Sequence, residues 1–311
     1  MRSAYLAGEA GHGRKRAVPR ARRAPPALSP PNTRVNDTPK AAQGANLFHV
    51  RRGSGRPLLL IHGLGSSWQG WAPILEPLAA EREVVAVDLP GHGQTPPLQG
   101  ETSIATFADA VTAFMAAQGL DGVDVVGSSM GARLVLELAR RGVVGATVSL
   151  DPGGFWEGWE RTFFYTTVGA SEPLVRALQP VMPQLTASVA GRTLLLAQFS
   201  ARPWFVPSTI ALTEMRSFAA SPSFHPLLES LVHGPEQQGA PAGSTRGPIT
   251  IGWGRQDRVC LPRQAARAMA KFPGARLHWF DRCGHLPHWD VPTAAVRVIL
   301  EGTGDGVRRA A

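Results

Sequence analysis

The sequence predicts an α/β fold: a mostly parallel sheet flanked by helices and interrupted by an inserted helical segment. Two observations predict the sheet. From residue 46 onward short apolar runs alternate with amphipathic stretches, the order that specifies parallel strands covered by helices. The runs themselves, such as Leu58-Leu59-Leu60-Ile61, lack polar alternation, as strands buried on both faces do. A third observation predicts the insertion: roughly 95 residues, 152–246, break the alternation and are rich in aromatics at their start (Phe155, Trp156, Trp159, Phe163, Phe164, Tyr165), too long and too apolar for a loop.

The elements follow in order. Arg56 to His62 reads as the first strand, and 67–80 as a helix with Trp68, Trp71, Leu75 and Leu78 at three-to-four spacing. Glu83 to Asp88 is a second strand. The helix from Ser103 to Gln118 carries Ile104, Phe107, Val111 and Phe114 on one face, with Ser103 to cap its start and Gly119 its end. Residues 122–127 form a third strand that runs into a helix from Ser129 to Arg140, Arg141 and Gly142, a cationic last turn closed by glycine. Thr147–Leu150, Ile249–Trp253 and Arg276–Phe280 complete the predicted strands.

A chain of 311 residues accommodates one large α/β domain with an insertion. Hydrophobic residues at 43% and charged residues at 18% are enough to bury a core and exclude wholesale disorder. The expected organisation is a disordered basic extension at 1–45, a core of 46–151 with 247–303, a helical cap at 152–246 and a short tail at 304–311. Val35 is a candidate later start.

The net charge of +9 points to polyanions until it is located. Residues 1–45 hold nine basic side chains against Glu9 and Asp37, leaving only +2 for the remainder. A nearly neutral body with a basic tail does not make a nucleic-acid groove, and no nucleic-acid partner is expected. Cys260 and Cys283 are the only cysteines, too few for a disulfide framework and compatible with a reducing cytoplasm. Arg22-Arg23 is followed by Ala-Pro-Pro-Ala-Leu-Ser-Pro-Pro rather than by an apolar run, so no export signal is read. No stretch reaches the ~18 apolar residues that span a bilayer, and no membrane partner is expected. The oligomeric state is left open.

Gly127-Ser128-Ser129-Met130-Gly131 has the form G-x-S-x-G where a strand meets a helix. Such a turn has no room for side chains beside the serine, so the glycines present its hydroxyl and the helix start directs N–H groups at developing negative charge. A serine hydroxyl needs a base. His285, in Cys283-Gly284-His285-Leu286-Pro287-His288 after the last predicted strand, is favoured, with His288 its competitor; His62 and His92 read as loop braces. The imidazole in turn needs a carboxylate. Asp257 follows a strand and precedes His285 by 28 residues; Asp151 is the alternative, and Asp88 and Asp290 read as structural. Backbone N–H groups of Leu64, after the first strand, and Met130, after the serine, are the candidate oxyanion donors. The order Ser129, Asp257, His285 is that of one hydrolase class, unlike the trypsin or subtilisin orders.

From 46 to about 303 the sequence resembles the α/β-hydrolase fold family. His62-Gly63-Leu64-Gly65 with Trp68, Asp88-Leu89-Pro90-Gly91-His92-Gly93, the G-x-S-x-G block, and Gly284-His285 followed by Asp290 and Pro292 carry the resemblance. It implies a sheet of about eight strands, a cap over the site, a triad of Ser129, Asp257 and His285, and His285 over His288 as base. A serine at 129 argues against the branches that use aspartate there. The expectation is a carboxylesterase-like enzyme without cofactor or metal, acting on a small, largely apolar ester or a related acyl or C–C bond. Alternatives are a cofactor-free haloperoxidase or lyase on the same residues, and a ligand-binding protein that keeps the hydrolase shell.

Overall fold

The computed structural model describes residues 46–304. The expected extension at 1–45 and all but the first residue of the tail at 304–311 lie outside the described residues. Seven strands form one sheet: β1 (His49–Arg52), β2 (Pro57–Ile61), β3 (Glu83–Val87), β4 (Asp124–Ser128), β5 (Thr147–Leu150), β6 (Ile249–Gly254) and β7 (Arg276–Phe280). Their spatial order is β1-β3-β2-β4-β5-β6-β7, parallel throughout except where β1 pairs antiparallel with β3. Seven strands among the described residues stand against the about eight that the resemblance implies.

Burial on both faces explains the unbroken apolar runs. Leu59, Ile61, Val85, Val87 and Val125 pack into one core, and Leu58, Leu60, Val84, Ala86 and Val126 into the other, so successive residues serve opposite faces. Helices α2 (Ile104–Ala117) and α3 (Met130–Arg140) cover the first face, through Phe107, Val111, Phe114 and Leu134. Helices α1 (Ala72–Ala79) and, at the end of the chain, Pro292–Thr303 cover the second, through Ile74, Leu78, Val298 and Ile299. Where one helix was predicted over 67–80, the chain makes a 3₁₀ turn, Trp68–Trp71, and then α1. Pro73 sits in the first turn of α1, where its missing N–H costs nothing.

Between β5 and β6 lie five helices: α4 (Trp159–Ala177), α5 (Met182–Ala187), α6 (Val189–Leu196), α7 (Ser208–Ala220) and α8 (Phe224–His233). Helices α9 (Gln264–Lys271), α10 (Pro287–Asp290) and α11 (Pro292–Thr303) follow. No described helix is long and apolar enough to cross a membrane.

The order β3-β2-β4 shows what positions the site. The chain steps from β2 outward to β3, then returns to place β4 on the other side of β2. At such a reversal the loops leaving the two strands part in opposite directions and open a crevice at their carboxyl ends. β2 ends at Ile61, just before His62-Gly63-Leu64, and β4 ends at Ser128, just before Ser129.

Candidate active site

Ser129 occupies the junction of β4 and α3 with φ 58° and ψ −116°, a conformation that a non-glycine residue holds only when its surroundings enforce it. The two flanking glycines are the enforcement. A Cβ on Gly127 would stand 2.2 Å from the carbonyl oxygen of Gly131, and one on Gly131 would stand 2.3 Å from that of Ile61. With both absent the turn closes tightly and lifts the Ser129 side chain.

His285 Nε2 lies 2.7 Å from Ser129 Oγ, and His285 Nδ1 lies 2.8 Å from Asp257 Oδ2. The histidine is 2% exposed and the aspartate 3%. Because the carboxylate accepts from Nδ1–H, Nε2 is left bare to take the serine's proton. Asp257 is itself fixed: its Oδ1 accepts from the N–H groups of Val259 at 2.7 Å and Cys260 at 3.0 Å. The backbone N–H of His285 donates to Phe199 O at 2.8 Å, tying the histidine's loop to the inserted helices. The structure thus brings together the three side chains that the sequence singled out, from loops 128 and 28 residues apart in the chain.

The competitors are placed elsewhere. His288 is buried with its ring 4.6 Å from that of Trp71, and burial pushes it down to about 3. Asp151 Oδ1 accepts from Gly254 N–H at 2.7 Å. Burial first, and then the neighbouring charge of Asp257, hold its carboxyl well above the usual range. Asp88 accepts from the N–H groups of Trp68 and Gln94, and Asp290 from those of Gly284 and Ala201, so both brace loops. His62 donates from Nδ1 to Gly63 O and accepts Leu89 N–H at Nε2, a neutral ring that burial pushes down to about 4.

Leu64 and Met130 line the same cavity as Ser129 and His285. Met130 opens α3, so its N–H is one of those a helix leaves without an internal acceptor. Gly63 lets this loop approach: a Cβ there would meet Ser129 Cβ at 3.2 Å. Most of the remaining wall is apolar and partly supplied by the insertion, through Phe164, Val168, Leu196 and Phe218.

Asp257, Cys260 and His285 present ligand-type atoms within 4.8 Å of one another. They make a poor metal site: both imidazole nitrogens are engaged in hydrogen bonds, and burial pushes the Cys260 thiol well up, away from the thiolate that binds metal. Sequence reasoning missed two polar residues of the cavity, Ser66 and, on α7, Glu214. The glutamate lies in an ordinary amphipathic helix 85 residues beyond Ser129, and nothing local marks it.

A model of the alpha/beta hydrolase family matches residues 58–298. In Cupriavidus necator, the dihydrolipoyllysine-residue acetyltransferase component of an acetoin cleaving system is 32% identical over 252 residues, 78% of this chain and 62% of that protein. The chain therefore spans less than two thirds of that relative's length. A 2-hydroxy-6-oxononadienedioate/2-hydroxy-6-oxononatrienedioate hydrolase of Dechloromonas aromatica is 28% identical over 267 residues, covering 80% of this chain and 87% of that one. Among solved structures, a thermophilic esterase from Thermogutta terrifontis superposes with a TM-score of 0.64 at 18% identity, over 82% of this chain and 92% of that one.

Proposed function

The chain belongs to the alpha/beta hydrolase family, and from that premise we propose that it is a serine hydrolase of small, largely apolar carboxylic esters, with Ser129 as nucleophile, His285 as base and Asp257 as its orienting acid. The observation that carries this reading is the continuous hydrogen-bonded line Ser129 Oγ, His285 Nε2, His285 Nδ1, Asp257 Oδ2, with links of 2.7 and 2.8 Å.

Ser129 Oγ attacks the ester carbonyl carbon while its proton passes to His285 Nε2. The resulting imidazolium is stabilised by Asp257, and the oxyanion by the N–H groups of Leu64 and Met130, each such donor contributing ~3 kcal/mol to the transition state. Collapse breaks the C–O bond, and His285 returns the proton to the departing alcohol. Water then attacks the acyl-enzyme with His285 again as base, releasing the acid and restoring Ser129. The helices between β5 and β6 act as a cap that keeps water from the apolar acyl chain. Neither metal nor cofactor enters these steps, and the partner is a small molecule.

The similarity to a C–C bond hydrolase supports a second reading in which the same residues cleave a carbon–carbon bond. That relative's substrate is a dicarboxylate by name, whereas no Lys or Arg lines the cavity here among the described residues; the ester reading therefore stands first.

The test is hydrolysis of p-nitrophenyl esters from acetate to decanoate by wild type and Ser129→Ala. Turnover of some member by wild type, lost in the variant, supports the reading. No turnover of any ester by wild type removes it and moves the C–C reading ahead.

A further inference from the structure

One buried acidic group of the cavity has no part in these steps. Glu214, on α7, is 5% exposed. Its Oε2 accepts the Ser66 hydroxyl at 2.6 Å, joining the insertion to the loop that carries Leu64. Its Oε1 has no hydrogen-bond partner among the described residues. The carboxyl rests against the backbone of Gly70, where a Cβ would stand 3.3 Å from both oxygens.

Such an arrangement is unfavourable for the protein alone. A buried polar atom left without a partner costs on the order of 1–3 kcal/mol. Burial pushes the carboxyl up to about 7, the Ser66 hydrogen bond opposes that, and the Asp88 charge adds to it. A tether to Ser66 needs only one acceptor oxygen, so the second is unexplained by structure. The surroundings give it a use. Trp71, Trp156 and His288 also line the cavity, and Nε1 of each tryptophan and Nδ1 of the histidine have no partner among the described residues. The wall thus carries polar side chains whose hydrogen-bonding capacity the protein leaves unused, and an occupant can supply partners. Its other titratable groups are His62, His285 and His288; with no Lys or Arg among the lining residues, nothing there offsets a carboxylate brought in by a ligand.

We propose that Glu214 is a specificity-determining residue whose Oε1 accepts a hydrogen bond from the non-reacting end of the substrate, so that the preferred esters carry a primary ammonium or a hydroxyl there rather than a carboxylate. The claim deepens the ester-hydrolase reading and rests on it for the word substrate, but the binding preference is measurable without turnover.

The experiment follows protection of Ser129 from a fluorophosphonate by hexylamine, 1-hexanol and hexanoate at about pH 8, where alkylamines are protonated. The three share an apolar chain and differ only in their heads. Hexylamine is expected to half-protect at about a tenfold lower concentration than hexanoate, with hexanol between them, since a charge-assisted hydrogen bond is stronger than a neutral one. In Glu214→Gln, which keeps an acceptor for Ser66, the amine's advantage falls about tenfold. In Ser66→Ala, which removes the tether and leaves Oε1 in place, the advantage persists. Equal protection by all three probes, or an amine advantage unchanged in Glu214→Gln, overturns the proposal and leaves Glu214 as a tether only. If Ser129 takes no label, the nucleophile assignment fails, and the Glu214 claim is decided by titrating hexylamine and hexanoate against the fluorescence of Trp71 and Trp156.

Discussion

Asp151 and Asp257 follow adjacent parallel strands, β5 and β6, and both are buried. Two close carboxylates in low dielectric do not both ionise readily, so their hydrogen bonds decide which holds the proton. Asp257 accepts from His285 and two backbone N–H groups. Asp151 accepts one, and its Oδ2 has no partner among the described residues. Asp151 is therefore the member whose carboxyl is held toward the protonated form, by burial first and then by the Asp257 charge. Asp257→Asn is expected to lower kcat/KM by about 10⁴-fold, as loss of the tautomer-fixing acid does elsewhere. Asp151→Asn, which mimics the protonated acid, is expected to stay within about tenfold of wild type. Steady-state kinetics of the two variants check this, and the reverse ranking would transfer the role to Asp151. From the sequence both aspartates were admissible, because each ends a strand; a choice between them needs three-dimensional hydrogen bonding.

At the scale of elements, the turn from β4 into α3 is the part most constrained by close packing. Gly127→Ala or Gly131→Ala drives a methyl into backbone, at 2.2 Å and 2.3 Å respectively, and backbone has no rotamer by which to yield. Each is expected to lower stability by about 3 kcal/mol or more, read by urea denaturation. Gly63→Ala makes milder contacts, with Ser129 Cβ at 3.2 Å and Ser128 O at 3.4 Å, and is expected to reduce activity while leaving the denaturation midpoint nearly unchanged. The G-x-S-x-G spacing was legible because that geometry is local. β1 was not: His49-Val50-Arg51-Arg52 has no apolar run, and it is a strand because β3 offers it an open edge. The predicted single helix over 67–80 likewise divided, between Trp71 and Ala72; Pro73, in the first turn of α1, has no N–H with which to continue the preceding turn, and the apolar spacing does not register that.

Across the whole molecule, the alternation of apolar runs and helices made a parallel sheet with an insertion legible, but the spatial order that brings β2 and β4 together at the crevice comes from the structure. The identity of Glu214 was not readable, because its partner Ser66 lies 148 residues away in the chain. That residue also sets a link between binding and stability. Its carboxyl is raised from 4.5 to about 7 in the folded protein, so the native state holds the proton more tightly than the unfolded chain. Its contribution is intact below pH 4.5 and is lost as pH rises toward about 7, by about 3 kcal/mol in all. Glu214→Gln is therefore expected to stabilise the protein near pH 8 by up to about that amount and to have little effect near pH 4, as urea denaturation at the two pH values will report. A variant more stable near pH 8 and poorer at holding amines is the signature of a group kept for its ligand. Ser129 as nucleophile is tested by mass spectrometry of the protein after reaction with a fluorophosphonate. One adduct per chain is expected, on the peptide containing Ser129, lost in Ser129→Ala and strongly slowed in His285→Ala. An adduct on any other residue, or none on active protein, would contradict the assignment.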